Sequence, residues 1–564
     1  MKGNRLSMQG DDVQPQRKRA ILGWCLYDWA NSAFATSGTV AIIPVYFVLL
    51  FQAEFSQQTE ILGFNVTASS AWSLLVALST IVVALSSPVL GVIADRLMIR
   101  KALVTVYTIG GAGFTVLLFF SAYTGSEWLW VAGCFLLANI GFAGANVFYN
   151  ALLPHLVSND DMDSVSSKGF AYGYVGGGLL LAIHLAVLFS YSGSDYEDIA
   201  TRACIASIGI WWFGWAVVSY KLVPEPGEGS RDREFVRSAV KVAGGQVLRT
   251  LKEITRFKAL AFYLLTYLLF NDAIQTVIAV AGAYGPDVLG VTIIGNIATI
   301  LVVQFVAAGG ASLFAWVAKL SGAKRALTYC LTGWVLVITF ALAFAPLIPT
   351  TEKDVDLVVT HDYAETFIVT QINVEVEDIQ KDSLWSDVSL NQKVSEREIR
   401  DWSSDEASEL SLMVSGGSRG SEVLVGDAHR SSLGDGPIDW WPMWMRSKVW
   451  EPIGMSVDLQ WLALGVVLGL VMGGSQALAR SLFAVMTPLS KSGEFFGFFG
   501  LVGKASSVFG PMLYVLVTGV YDTRVAILAL LSIIGVGTLL LGRVNVEERV
   551  AVAEEEDRRS QGVL

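Results

Sequence analysis

Charge is scarce in this chain. Only 16% of its 564 residues are Asp, Glu, Lys or Arg, where a soluble domain carries about 25%. With 53% hydrophobic residues and a mean hydropathy of +0.54, the composition excludes an ordinary soluble domain and indicates a membrane protein. Proline is sparse as well, 14 against 54 glycines. Glycine at that level, without a collagen period, fits closely packed membrane helices. The four cysteines (Cys25, Cys134, Cys204, Cys330) all lie in apolar runs, so no disulfide framework is implied. Metal-ligand spacing, a nucleotide loop and a nucleophile elbow are all missing. The Gly-rich "GYVGGGLL" lies inside an apolar run and is no phosphate cradle. We therefore expect no enzyme, no cofactor, no metal and no nucleic-acid partner, and any pumping has to draw on a gradient.

What is present is a series of long apolar runs. About 20 apolar residues span a bilayer, and twelve such runs are readable, at 21–51, 71–94, 103–123, 128–150, 169–191, 200–222, 260–283, 293–317, 326–348, 459–479, 495–520 and 525–541. All-helical spans satisfy their backbone internally, as lipid demands. The first run is too long for a signal peptide and carries Asp28. Basic residues cluster before the first run (Arg17, Lys18, Arg19), after the second (Arg96, Arg100, Lys101), after the sixth (Arg231, Arg233, Arg237, Lys241, Arg249, Lys252) and after the eighth (Lys319, Lys324, Arg325). The alternate connections are poor in them, which places both termini in the cytoplasm. The expected organisation is a tail (1–20), a six-helix half (21–222), a cytoplasmic linker (223–258), three helices (259–348), an extracytoplasmic insert (349–457), three more helices (458–543) and a cytoplasmic tail (544–564). The net charge of -11 says little about partners, because the acid is concentrated in the insert and the tail. Within the insert, "DLVVTHDYAETFIVTQINVEV" and "ELSLMVSGGSRGSEVLVGD" alternate like strands, so a small β-rich domain is expected, with disorder as the alternative for its middle. "DWWPMWMRSKVW" at its end reads as an interfacial aromatic belt, or as a carbohydrate-binding patch.

The two halves repeat. "ADRLMIRK" aligns with "AKLSGAKR", "DWANS" with "DAIQT", and "GFAYGYVG" with "GEFFGFFG", in the same order in each half. Six spans plus six, repeated in parallel, is the all-α architecture of a major facilitator transporter. "GVIADRLMIRK" resembles that superfamily's cytoplasmic signature, with Met98 replacing its second glycine. "YDWANSAF", "FYNALLP", "SSKGFAYGYVGGGLLL", "LLFNDAIQTVI" and "ARSLF…GEFFGFFGLVGK" resemble the vacuole-effluxer family, the autophagy-related branch with bacterial members. The resemblance covers nearly all spans but not the insert. It implies efflux of amino acids, and a conformational latch at Gly91, Asp95, Arg96, Arg100 and Lys101. It also implies an inner membrane in a bacterium or archaeon, or a vacuolar membrane in a fungus.

An ionisable group buried in lipid marks a cavity by default. Asp28, Asn31 and Ser32 share a helix face, and Asn271, Asp272, Gln275 and Thr276 repeat the pattern in the second half. The two clusters are expected to line one central cavity, with Asp28 and Asp272 as proton carriers. The competing reading is a hydrogen-bond network that ties helix ends. Asn139, Asn146 and Asn150 form one stripe with Tyr149 beside it, able to bind an amphoteric solute or to join helices. Gln304 and Gln476 are added from the other half. His184 is a candidate proton carrier or a satisfied hydrogen-bonder. Lys168, Arg480 and Lys504 stand near cytoplasmic ends, where they can snorkel, and Lys504 is the deepest of the three. The sequence thus points to a secondary transporter of small polar solutes, with protons as a possible coupling ion and a monomer as the expected state. The alternative is a non-transporting membrane sensor whose ligand domain is the insert.

Overall fold

The computed structural model describes residues 13–560 except 56–57, 62–63, 226–257, 354, 363–365, 374–387, 404–410, 417–420, 427–428, 430, 434–435, 437, 507–508, 519 and 521–522. The first rod is α1 (Val13–Ala33), a π-helical stretch (Phe34–Ile42) and α2 (Ile43–Phe55). Arg17, Lys18 and Arg19 therefore belong to the start of α1 and not to a free tail. A hairpin follows, β1 (Gln58–Ile61) against β2 (Phe64–Thr67). Next come α3 (Ala68–Leu97), α4 (Arg100–Leu117), α5 (Glu127–Leu156), α6 (Met162–Tyr191) and α7 (Glu197–Leu222). The second half opens with α8 (Lys258–Leu289), α9 (Ile293–Ser321) and α10 (Ala323–Ala341). The basic cluster at 231–252 lies outside the described residues.

The insert holds β3 (Leu357–His361), β4 (Thr366–Ile372), β5 (Lys393–Ser395), α11 (Glu396–Ser403), β6 (Ser411–Ser415) and β7 (Ser421–Val425). Its sheet runs β5-β4-β3-β6-β7, antiparallel except for the central β3–β6 pair. Alternation sets its core. Leu357, Val359, Phe367, Val369, Leu412 and Val414 face one side and meet Ile399 of α11. The stretch read as strands or disorder, 374–387, lies outside the described residues. The aromatic segment forms α12 (Trp440–Met445) and docks on the end of α10, where the Trp441 and Trp450 indoles donate to the Thr339 and Ala343 carbonyls.

The chain then returns to the bundle with α13 (Val457–Val485), α14 (Ser492–Ala505), α15 (Phe509–Thr518) and α16 (Thr523–Gly542), and ends in α17 (Val546–Ser560). Among the described residues, eleven segments are long and apolar enough to cross a bilayer, against the twelve expected. The difference is α10. It carries Lys324 and Arg325 in its first turn and ends at Ala341, short of the expected 348. It still packs among α9, α13 and α16 in its half. The expected run 495–520 is likewise two helices, α14 and α15.

Each half is a bundle, α1 on α6 and α7 in the first and α9 on α13 in the second. The halves meet chiefly through α3 on α14 and α6 on α9, two contacts that the internal repeat exchanges. Glycine sets the closest approaches. A Cβ on Gly91 would lie 2.3 Å from the Gly493 carbonyl oxygen. Gly169 and Gly173 of α6 lie against Asp28 and Ser32 of α1, and Gly177 against Thr36 of the π-helical stretch, so one small-residue seam presses the polar stripe of the first rod into the bundle.

Candidate translocation site between the halves

Arg480 decides the geometry. It sits on α13 of the second half, and its guanidinium reaches into the first. Nη1 donates to Asp28 Oδ2 at 3.2 Å and to Asn150 Oδ1 at 3.1 Å, Nη2 to the Ser166 carbonyl at 2.7 Å, and Nε to Ser166 Oγ at 3.0 Å. The side chains of Arg480 and Asp28 are only 4% and 9% exposed. The guanidinium lies over the rings of Phe170 (4.1 Å), Trp24 (4.7 Å) and Tyr149 (5.8 Å). Trp24 and Tyr149 stack at 4.5 Å and exchange hydrogen bonds with each other's backbone. Arginine suits such a place because its planar cation stacks on rings while its fork fills several acceptors. A buried charge without partners would be costly, so this pairing fixes how the halves sit while it lasts.

The predicted asparagine stripe of α5 is divided among three helices. Asn139 donates to Ser79 of α3, Asn146 accepts from Asn31 of α1 at 2.8 Å, and Asn150 takes Arg480. Ser32 packs on Gly173. One turn before Arg480 on α13, Gln476 donates to Asn271 Oδ1 at 3.3 Å, which Gln275 also approaches at 3.5 Å. Asn271 in turn donates to Ser506 Oγ. A single face of α13 therefore touches the polar cluster of each half's first helix. Gln304 lies across from Gly178 at the α6–α9 contact.

Two expected roles meet a different geometry. Asp272 does not mirror Asp28. Its carboxylate accepts the backbone N–H groups of Phe509 and Gly510 at the start of α15, where helix N-termini favour an anion, and its Oδ1 has no hydrogen-bond partner among the described residues. His184 turns away from the second half and bonds Ser207 of α7 at 2.7 Å. Lys504 carries no hydrogen bond or ion pair among the described residues. Arg480, read from sequence as snorkelling, is instead the centre of the site. The readable signal was a cation in "QALARSLFAV" with no carboxylate within a helical turn, which requires a partner from elsewhere in the fold.

At one end the halves are tied further. Asp95 pairs with Arg100 (2.6 Å) and accepts the backbone N–H groups of Gly493 (2.8 Å) and Glu494 (2.9 Å) at the N-terminus of α14. Gly91 allows this approach, as its contact with Gly493 shows. Met98 adopts φ +52°, where the superfamily signature has glycine. Arg96 is exposed, and Lys101 lies over Tyr220 at 4.1 Å, away from the other half. His155 bonds Ser492 and Ser481 bonds Asp163 across the same end. There α17 clasps the turn before α14. Asp557 accepts from Leu489 N, Ser490 N and Ser490 Oγ, and Glu556 pairs with Lys491.

The family model described as "Vacuole effluxer Atg22 like" matches residues 16–351 and 438–554. The chain belongs to this family. The unmatched stretch coincides with the insert, which the Atg22-like family does not account for. Among Atg22-like relatives, an uncharacterised MFS-type transporter, YxiO of Bacillus subtilis, is 24% identical over 95% of this chain and 96% of its own. Autophagy-related protein 22 of Botryotinia fuckeliana is 23% identical over 68% of this chain, but only 44% of its own length is covered. Among solved structures, a bacterial homologue of the iron transporter ferroportin in an outward-facing state superposes with a TM-score of 0.54 at 10% identity, covering 94% of this chain and 98% of that one. The proton:xylose symporter XylE gives 0.54 at 11% identity, covering 94% and 95%. The fold is that of the major facilitators, and this Atg22-like protein is an integral, multi-pass transporter of that type.

Proposed function

We propose that the protein exports small polar solutes, amino acids foremost, by alternating access coupled to protons. The observation that carries this is the buried Arg480–Asp28 bridge between the two halves. Rocking of the halves has to break it, and only a replacement anion on Arg480 or a proton on Asp28 spares the separated charges. A solute carboxylate supplies the first, and Asn150, Asn31 and Asn146 offer donors and acceptors for the rest of an amphoteric solute. Asp28 is the coupling group in this reading, and Asp272 anchors α15. The basic-residue asymmetry supports both termini and the Asp95 end in the cytoplasm and the insert outside; in this reading the state closed at the Asp95 end is closed toward the cytoplasm.

The test is amino-acid flux in proteoliposomes with and without an imposed pH gradient. Wild type should accumulate solute only with the gradient, and Asp28→Asn should keep exchange while losing accumulation. Gradient-driven accumulation by Asp28→Asn at the wild-type level would remove the coupling role. Impermeant thiol labelling of cysteines placed in the insert and in α17 checks the orientation.

A further inference from the structure

Between α1, α4 and α7 the first half carries a groove of about 190 Å³. The halves meet through α3, α5 and α6 on this side, so a groove on α4 and α7 opens sideways, toward lipid. Its lip is formed by Ile109 and Phe213, 53% and 46% exposed. Deeper in, the hydroxyls of Tyr27 and Thr108 bond each other at 2.6 Å, and Trp24, Val104, Ile109, Leu152, Phe213 and Val217 make most of the lining apolar, a surface suited to a hydrocarbon chain.

One end of the groove is different. Lys101, assigned to the latch on sequence grounds, instead lines this end together with Lys221 in the last turn of α7. Lys18 and Arg19, both exposed on α1, stand at the same basic end of the bundle. Glu225 is the acid that faces them, accepting the Lys101 backbone N–H at 3.3 Å. Burial raises its carboxyl above the ordinary value, against the pull of the Lys101 backbone N–H and of the Arg100 and Lys101 charges, so Lys101 is partly countered and Lys221 is the cation left to an incoming anion. An apolar slot in the bilayer that ends in a pair of lysines matches one class of molecule, a chain with an anionic head.

We infer that this groove is a binding site for one anionic phospholipid, an acyl chain lying in the slot and its phosphate on Lys101 and Lys221. The back wall of the slot is the stacked Trp24–Tyr149 pair, the same rings that flank Arg480. A bound chain therefore braces the wall of the translocation site from behind.

The test is native mass spectrometry of the full-length protein in mild detergent, titrated with phosphatidylglycerol and with phosphatidylcholine. Wild type should retain one phosphatidylglycerol in preference to phosphatidylcholine. Lys101→Gln/Lys221→Gln should lower phosphatidylglycerol affinity about 25-fold, the effect of two surface cations, and leave phosphatidylcholine unchanged. Ala216→Phe fills the slot and should remove the retained lipid. Should that variant misfold, Val217→Trp at the lip serves the same purpose. Equal retention of both lipids by wild type, or phosphatidylglycerol retained at wild-type affinity by the slot-filling variant, overturns the inference.

Discussion

Arg480 and Asp28 lie 452 positions apart in the chain, which is why neither residue's partner was legible locally. What the sequence showed was that Asp28, Asn31, Asn146 and Asn150 need company inside lipid. It could not show that the company is a cation from the other half. Magnitudes separate the roles. An interhelical hydrogen bond in a membrane averages about 0.6 kcal/mol, whereas stranding one member of a buried ion pair costs about 3–5 kcal/mol. We therefore expect Arg480→Gln or Asp28→Asn alone to lower thermal stability by several degrees. The double variant should recover much of that loss, because no charge is left unpaired, yet it should not regain gradient-driven transport. A thermal-shift cycle on the four proteins, run beside flux, checks both halves of the statement. Additive losses with no recovery would mean that the two residues act independently.

At the scale of elements, hydropathy made the spans legible because lipid imposes length and composition directly. It overran at α10, where the expected run 326–348 continues past the helix end at Ala341, and it missed polar helices that dock on the bundle. α17 carries acidic and basic residues throughout, so the sequence offered only a tail. Tertiary hydrogen bonds to the turn at Leu489–Lys491 make it part of the closed end. Asp557→Ala should loosen that turn and favour opening there. A cysteine introduced at Ser492, buried in the closed state, should then react with a membrane-permeant thiol reagent at least several-fold faster, and an unchanged rate would confine α17 to a passive role. In the insert, Ser395 and Glu398 form a capping box at the start of α11, with Glu398 accepting from Ser395 N and Oγ at 2.7 Å each. The Ser395 backbone N–H, with its hydroxyl second, holds the Glu398 carboxyl below its ordinary value of 4.5. A depressed carboxylate stabilises the folded state above the unfolded pKa and loses that contribution as pH falls through the folded one. Amide exchange in α11 should accelerate selectively below about pH 4, and Glu398→Gln should flatten that dependence.

For the whole molecule, the repeat in the sequence foretold two bodies, and Asp95 of the signature motif touches the second of them at Gly493 and Glu494. Their asymmetry was not legible. Asp95 has no counterpart in the second half, where Lys319 takes its place, exposed, and Asp272 caps a helix while Asp28 bridges the halves. Closure at one end thus rests on a few charged contacts that stand on one side of the pseudo-symmetry axis. Asp95→Asn keeps the shape but weakens the anchor of α14 and its bond to Arg100. We expect it to shift the population toward the state open at that end, lowering disulfide trapping of a cysteine pair at His155 and Ser492 several-fold while folded yield stays near wild type. Undiminished trapping would show that the remaining contacts close that end without it.

The position of the insert also has a consequence in time. The most extensive partner of α9 is α13, yet α10 and the entire β domain are synthesised between Ser321 and Val457. At about 5–20 residues per second, roughly 135 residues take about 7–27 s to emerge. During that wait α6 is already in the membrane, and it is the other large neighbour of α9. Chains stalled within the insert should show α6–α9 cross-links. The surface along which the halves later slide is then assembled before one of the halves exists.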